Sequence, residues 1–338
     1  MVTVIVPAYN AEKTIQNCIN SIQKQSYKDI EIVVIDDGST DRTKEIVQRL
    51  LRKDGRIKII SQYNQGASAA RNKGIEKASG EYVTFVDADD EIEPQLIKVL
   101  ITYLKKYNAD YVKTSVIRIN KNGQKARFDE KQKIICTSVQ EWNEHFFDLM
   151  NHGLNSPVGK LYKKSILTKS NVRFNLELVL SEDLIFNLDY LEHVNRLVFL
   201  PEAYYKYYIG NSELTVKYRS NLFDCRKKAI ELYSDFLKRN QINRDIVPFL
   251  YIKLMFSEAI GEVTHGTTKK DRLKKIRKNL KKEEIIKSVN ECKATGIMQK
   301  ILFGMAKTQN AKVIDAGSRI FAFLQNKKWL INFRKVSV

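Results

Sequence analysis

Three short segments carry the side chains with the most chemistry in them: Pro7-Ala8-Tyr9-Asn10, Asp36-Asp37-Gly38-Ser39 and Asp87-Ala88-Asp89-Asp90. Along an extended D-A-D, side chains alternate, so Asp87 and Asp89 point to one side with the small Ala88 between them. Two carboxylates so placed suit a hard divalent cation, whose other positions take water or substrate phosphate oxygens. Five carboxylates gathered at one edge would repel and take up protons, so the pattern calls for a cation or a cationic ligand. A fourth segment, Asn64-Gln65-Gly66-Ala67-Ser68-Ala69-Ala70-Arg71-Asn72-Lys73-Gly74, is dense in small side chains. A helix starting there approaches a ligand closely, and its first amides together with Arg71 suit a phosphate or a nucleotide. The same alanines also serve tight packing of a helix on a sheet. Single aspartates have an ordinary role open to them too, since Asp41 and Asp90 stand where they can cap the following helix. Neither a G-x-x-x-x-G-K-[ST] loop nor a G-x-G-x-x-G turn occurs, which disfavours P-loop and dinucleotide sites.

The elements that must hold these segments alternate in type. Strand-like runs at Val2–Val6, Ile30–Ile35, Arg56–Ile60, Tyr82–Val86 and Tyr111–Ile119 are separated by helical patterns, among them Ala67–Ala78 and a stretch opened by Pro94. Apolar strands separated by helices predict a doubly wound, mostly parallel α/β sheet, with right-handed connections. In such sheets ligands bind beyond the carboxyl ends of the strands, and three of the aspartate- or asparagine-bearing segments fall there. Asn122-Gly123 signals a hairpin turn. Helices are expected over Ser138–Met150 and Ser181–Val194, and strand over the tyrosine-rich Leu197–Tyr208. Beyond about Asn221 only helical patterns remain: Leu222–Leu237, Val247–Val263, Lys269–Val289, Met298–Lys307 and Ile314–Val336.

Composition narrows the classes. The 338 residues are 43% hydrophobic, enough for a sizeable core and against disorder as the overall state. The longest run free of Asp, Glu, Lys and Arg is the largely polar Ile59–Ala70, so no transmembrane helix is expected. No basic leader precedes the first strand, which predicts no signal peptide. Cys18, Cys136, Cys225 and Cys292 lie far apart and the 4 histidines lack ligand spacing. Both facts argue against disulfide and zinc scaffolds and fit a reducing cytosol. The formal charge of +19 is uneven: residues 216–338 carry 28 Lys and Arg against 11 Asp and Glu. That asymmetry points to an anionic partner, or to solvated helix faces that keep the chain soluble.

V-I-V-P-A-Y-N, V-V-I-D-D-G-S-T-D, N-Q-G-A-S-A-A-R-N-K-G and F-V-D-A-D-D, in this order and spacing, resemble family 2 glycosyltransferases of the GT-A fold. The likeness covers roughly residues 1–215 and extends to the bacterial transferases of capsule, exopolysaccharide and teichoic acid. It implies a GT-A domain over 1–218, while the joint shift of composition, charge and pattern near residues 215–222 marks off a separate helical domain over 219–338. It also implies that Pro7, Tyr9, Asn10, Asp37, Asn64, Gly66, Arg71, Asp87, Ala88 and Asp89 hold a UDP-sugar. Asp87 and Asp89 would be the pair that binds Mn²⁺ or Mg²⁺. Ser181-Glu182-Asp183 resembles the family segment whose aspartate is the general base, with Glu182 supporting the base or the acceptor. Read alone, that segment is a helix N-cap followed by two acids that complement the helix dipole. An inverting transfer needs only one carboxylate to take the acceptor proton, which agrees with a single base at Asp183.

The chain departs from its relatives in places. Ser156-Pro157-Val158 stands before Gly159-Lys160-Leu161-Tyr162 where relatives commonly have an aromatic residue. Tyrosines and one lysine fill Tyr205–Ser212 where relatives tend to carry arginines. The Q-x-x-R-W signature of processive synthases has only a distant echo in Gln325-Asn326-Lys327-Lys328-Trp329, so a single addition is expected. In the basic third, Lys269–Lys287 interleaves cations with Leu273, Ile276, Leu280, Ile285 and Ile286. Ile320–Val336 mixes Phe321, Phe323, Trp329 and Phe333 with cations. This pattern suits docking on an anionic membrane surface, placing the enzyme on the inner face of the cell membrane beside a lipid-linked glycan acceptor. Competing readings are oligomerisation through the C-terminal helices, or a cradle for an anionic polymeric acceptor. A glycosyltransferase extending a protein-linked glycan is an alternative. A nucleic-acid-binding protein is a reading from another class, disfavoured because the basic region has no recognisable nucleic-acid motif. Nucleotidyl transfer is disfavoured by the missing triphosphate loop.

Overall fold

The computed structural model describes residues 1–120, 122–127, 132–209, 219–242 and 246–326. The chain divides into two compact units, Met1–Glu177 with Glu182–Val216, and Leu178–Ser181 with Lys217–Val338.

In the first unit the order is β1 (Val2–Ala8), α1 (Ile15–Gln23), β2 (Ile30–Asp36), α2 (Thr43–Leu51), β3 (Ile57–Ser61), α3 (Ala67–Lys77), β4 (Tyr82–Phe85) and β5 (Glu91–Ile92). There follow α4 (Leu96–Lys106), β6 (Tyr111–Ile119), β7 (Lys125–Arg127), β8 (Ile134–Cys136), α5 (Val139–Glu144) and α6 (Phe146–Asn151). The unit ends with β9 (Lys160–Lys163), α7 (Lys164–Lys169), α8 (Glu182–Leu191) and β10 (Leu197–Tyr208). The sheet runs β3-β2-β1-β4-β9-β6-β10-β5, with β7 beside β6 and β8 beside β10. β3, β2, β1 and β4 are mutually parallel, as the alternating pattern predicts. Their inward residues, among them Val4, Val6, Ile32 and Val34, are fully buried.

The second half of the sheet is mixed rather than a continuation of the parallel winding. β9 is inserted antiparallel between β4 and β6. Strand-length apolar patterning does not mark β9, because its first residue is the fully buried Lys160. The expected helix over Ser138–Met150 is two short ones that meet at His145. α3 lies close on the sheet through its small residues: a Cβ on Gly74 would stand 2.3 Å from Ile5 Cγ2.

The second unit consists of α9 (Leu222–Arg239), α10 (Val247–Thr264), α11 (Lys269–Leu280), α12 (Glu283–Glu291), α13 (Ile297–Lys307) and α14 (Ala311–Asn326). α10 is apolar nearly all round and packs against each of the others. The expected single helix over Lys269–Val289 breaks at Lys281 and Lys282. Ile276 and Ile285 are nine residues apart, two and a half turns, so an unbroken helix would aim them in opposite directions. The break buries both, at 3% and 0% exposure. Leu280 is buried too, so the apolar side of this segment faces the bundle and Ile286 is the isoleucine left exposed. Several cations here stitch the bundle: Arg272 to Asp315 at 2.7 Å, Lys275 to Glu258 and Glu262, and Lys282 to Asp224 at 2.6 Å. Trp329, Phe333 and the cations around them lie outside the described residues, as do Gly210-Asn211-Ser212. Among the described residues no helix is long and apolar enough to cross a membrane.

Candidate active site

The carboxyl ends of β1, β2, β3 and β4 form one rim, and the residues singled out for donor binding sit along it. At the β2 end, Asp37 is 3% exposed and accepts from Gln62 Nε2 at 2.8 Å, Gln65 N at 2.9 Å and Gly66 N at 2.8 Å. It therefore fixes the loop that carries Asn64 and Gly66 into α3. Gly38, at φ 75°, comes so close to that loop that a Cβ would stand 2.9 Å from Asn64 N. At the β1 end, Asn10 takes a left-handed φ of 48°, and its Oδ1 accepts from Thr40 N at 2.8 Å. Pro7 is half-buried next to the buried Ala8 that ends β1, and Tyr9 (52% exposed) and Asn64 are open to solvent. These residues thus line one rim, its two loops tied to each other.

The segment after β4 is anchored from the far side of the sheet. Tyr205 of β10 is fully buried, donates to Asp90 Oδ2 at 2.8 Å and accepts from Asp87 N at 3.1 Å. Tyr208 N adds a bond to Asp90 Oδ1 at 3.0 Å. Asp90 is therefore an internal anchor and not the helix cap its position suggests; α4 has Gln95 at its N-cap. Burial, then Asp87 and Asp89, hold its carboxyl well above the ordinary range. Asp41 does act at a helix start, accepting from Thr43 N at 2.9 Å. Ala88 is buried between its neighbours. Asp89 is raised to about 6, by burial first and by Asp87 second.

Arg71 joins the rim to α8. It is 6% exposed, and its guanidinium donates to Asp87 Oδ1 at 2.9 Å and to Asp183 Oδ1 at 3.1 Å. The guanidinium also lies 5.3 Å from the centre of the Phe174 ring, which stacks on Phe186. Asn72 clamps the Phe174 backbone through both its amide atoms, at 2.8 Å each. The sequence assigned Arg71 to phosphate; in the structure it is paired with two carboxylates, and its buried Nε has no partner among the described residues. Asp183 is raised to about 6 by burial, against the pull of Arg71, with Glu182 and Asp87 pushing the same way as burial. Glu182 and Asp183 open α8 as expected. Ser181, expected as the N-cap, has a left-handed φ of 67° instead of the extended backbone usual at that position.

A metal fits this donor set in part. Asp87 is 28% exposed at its side chain, and a divalent cation against Asp87 and Asp89 would offset the repulsion that raises Asp89. Among the described residues no group of three or more His, Cys, Asp or Glu is placed to hold a metal. Oxygens from a bound ligand would have to complete the coordination, as is usual for Mg²⁺ with phosphates. Tyr205, Asn72 and Phe174 escaped the sequence reading, since each acts through a partner at least 100 positions away.

A parallel β3-β2-β1-β4 rim with an aspartate pair after β4, beside a mixed half-sheet, defines a GT-A-type fold. The sequence profile of Glycosyl transferase family 2 matches residues 3–168. An uncharacterized glycosyltransferase of Haemophilus influenzae is 30% identical over 289 residues, covering 82% of this chain and 84% of that protein. The chain belongs to glycosyl transferase family 2. The GalNAc(5)-diNAcBac-PP-undecaprenol beta-1,3-glucosyltransferase of Campylobacter jejuni is 45% identical over 111 residues, 32% of this chain and 35% of its own. S. aureus TarS 1-349 in complex with UDP-GlcNAc superposes with a TM-score of 0.67 at 21% identity, covering 95% of this chain and 92% of TarS 1-349. Against the length of three other curated relatives the chain spans 35%, 64% and 63%.

Proposed function

We propose that the chain is an inverting glycosyltransferase that moves one sugar from a UDP-hexose or UDP-N-acetylhexosamine to a bacterial cell-envelope glycan. The observation that carries this reading is Asp183, a carboxylate tied to Arg71 at 3.1 Å and raised to about 6. A base is most effective when its pKa lies near the working pH. At neutral pH Asp183 is mostly ionised and still basic enough to take the proton of an acceptor hydroxyl as that oxygen attacks the anomeric carbon. One such carboxylate suffices for a single displacement. Pro7, Tyr9, Asn10, Asp37, Asn64 and Gly66 would line the nucleoside side of the donor. Arg71 would keep Asp87 and Asp183 charged side by side, and Glu182 would support the acceptor side. Asp87 and Asp89 would hold Mn²⁺ or Mg²⁺, which when bound supplies positive charge beside the diphosphate.

The acceptor in the name of the Campylobacter relative, a glycan on undecaprenol diphosphate, supports a lipid-linked acceptor, and a polymeric one is the other member of the class. The helical unit supports attachment to an anionic membrane face: Ile286, Ile297, Ile301, Ile320 and Phe323 are 45–81% exposed among lysines. Pairing of copies through the same helices would use the same residues. The test is UDP release across a panel of UDP-sugars with and without Mn²⁺, for wild type, Asp89→Ala and Asp183→Asn. Metal-dependent release from one donor, lost in Asp89→Ala and lowered roughly 10²–10⁴-fold in Asp183→Asn, is expected. The acid limb of kcat/KM should fall near pH 6. Full activity in Asp183→Asn would overturn the assignment of the base.

A further inference from the structure

Beneath α8 the aromatic core contains a buried cation. Lys160 is fully buried, and its Nζ donates to Leu154 O at 2.9 Å and to Asn187 Oδ1 at 3.0 Å. It stands 5.6 Å from the centre of the Tyr111 ring. Asn187 Oδ1 also accepts from Tyr162 OH at 2.8 Å and Tyr111 OH at 3.1 Å. Three donors on one amide oxygen leave Asn187 a single orientation, because the flipped amide would turn N–H groups toward the ammonium. In that orientation Nδ2 donates to the Asp183 carbonyl at 2.7 Å. Asp183 is thus held at its main chain by Asn187 and at its carboxylate by Arg71.

Packing does not ask for a lysine here. An apolar side chain of similar length would fill the space, although Leu154 O and Asn187 Oδ1 would each lose a donor. Phe85, Phe186, Tyr162 and Tyr190 already supply a dense aromatic layer around the site. What the lysine adds is a fixed charge and a fixed donor on the inner side of the helix that carries Asp183.

We propose that Lys160 and Asn187 are positioning residues for Asp183, orienting the first turn of α8 so that the carboxylate meets Arg71 and the acceptor. This rests on the reading of Asp183 as the base. The charged and titratable groups around Asp183 are Arg71 from α3, Asp87 after β4, Glu182 on α8, and Lys160 and Tyr162 from β9. Lys160 contributes a pull toward ionisation that is smaller than that of Arg71.

The experiment compares wild type, Lys160→Met, Tyr162→Phe and Asp183→Asn, full chain, with the UDP-sugar that supports UDP release. Turnover is followed across pH, with UDP affinity by calorimetry and thermal unfolding alongside. Lys160→Met is expected to fold with a lower unfolding temperature, because two buried acceptors lose a donor, to bind UDP equally and to turn over roughly ten- to a hundredfold slower, with its acid limb moved to higher pH. Tyr162→Phe keeps the charge and removes one of the three donors, so it should be slowed less and leave the acid limb in place. Wild-type turnover in Lys160→Met, or a loss matched by lost UDP binding, would overturn the inference. If Lys160→Met does not fold, wild-type turnover in Tyr162→Phe overturns it and slowed turnover with intact UDP binding supports it. An active Asp183→Asn would instead overturn the reading of the base, whereas an inactive one beside an unaffected Lys160→Met removes only the positioning role.

Discussion

Replacing Arg71 by methionine tests whether the fold carries its own counter-charge for the acidic rim. The guanidinium makes charge-assisted bonds to Asp87 at 2.9 Å and Asp183 at 3.1 Å, and the carboxylates are only 28% and 29% exposed. Methionine keeps an unbranched stem against Phe174, so the change isolates the charge. Two such bonds at about 1.5–3 kcal/mol each give a gross loss of about 3–6 kcal/mol. Relief from burying the guanidinium lowers the net, and breaking a buried pair costs about 3–5 kcal/mol. The loss depends on pH. Asp183 already titrates near 6 in the folded wild type, against about 4 in the unfolded chain. A carboxyl raised on folding stabilises the fold at low pH, and that contribution disappears as pH rises through the folded value. Without Arg71 the folded value rises further, so the variant loses more stability on the way up. Urea unfolding at about pH 8 should show a gap of about 3–5 kcal/mol to wild type, falling to about half or less near pH 5, where Asp183 is protonated in both. Equal gaps at the two pH values would refute the argument and assign Arg71 to packing on Phe174.

Tyr205→Phe removes the hydroxyl that donates to Asp90 and accepts from Asp87 N, leaving Asp90 with the Tyr208 amide. It should cost about 1–3 kcal/mol in urea unfolding and weaken Mn²⁺-dependent UDP binding more than metal-free binding, as calorimetry would show. Gly74→Ala sets a methyl 2.3 Å from Ile5 Cγ2 on a fully buried strand, and overpacking of this kind costs about 1–3 kcal/mol by thermal or urea unfolding.

The sequence exposes this fold where cause and effect are neighbours. β1, β2 and β4 are short strands dominated by β-branched and aromatic residues that stop at aspartates or at Pro7-Ala8, so both the parallel half of the sheet and its rim are visible in the sequence. The small residues of α3 show close packing, which Gly74 and Ile5 realise. β9 is hidden because a four-residue strand with lysines at both ends has no apolar signature, and its lysine is paid for by Asn187, 27 positions away. The break in the basic helix is hidden for a related reason: burying Ile276 together with Ile285 is a demand of the bundle and not of the local pattern.

Arg71 shows what the rim's chemistry gains from the fold. Local reasoning holds that clustered aspartates need a cation from outside and gives an arginine at a helix start to phosphate. The structure brings positions 71, 87 and 183 together, so part of the required charge comes from the chain itself. The need for an external cation then concentrates on Asp89, which is raised to about 6 although Arg71 pulls against the shift. The two acids of the D-A-D pair are therefore unequal: Asp87 is held by the protein's own cation, and Asp89 is the one whose ionisation a metal would restore. Asp183 shares Arg71 with Asp87, so any ligand that draws Asp87 away from the guanidinium leaves more of that charge to Asp183. Positive charge brought against Asp87 from outside would then lower the proton affinity of Asp183 as well, because both carboxylates draw on the same guanidinium.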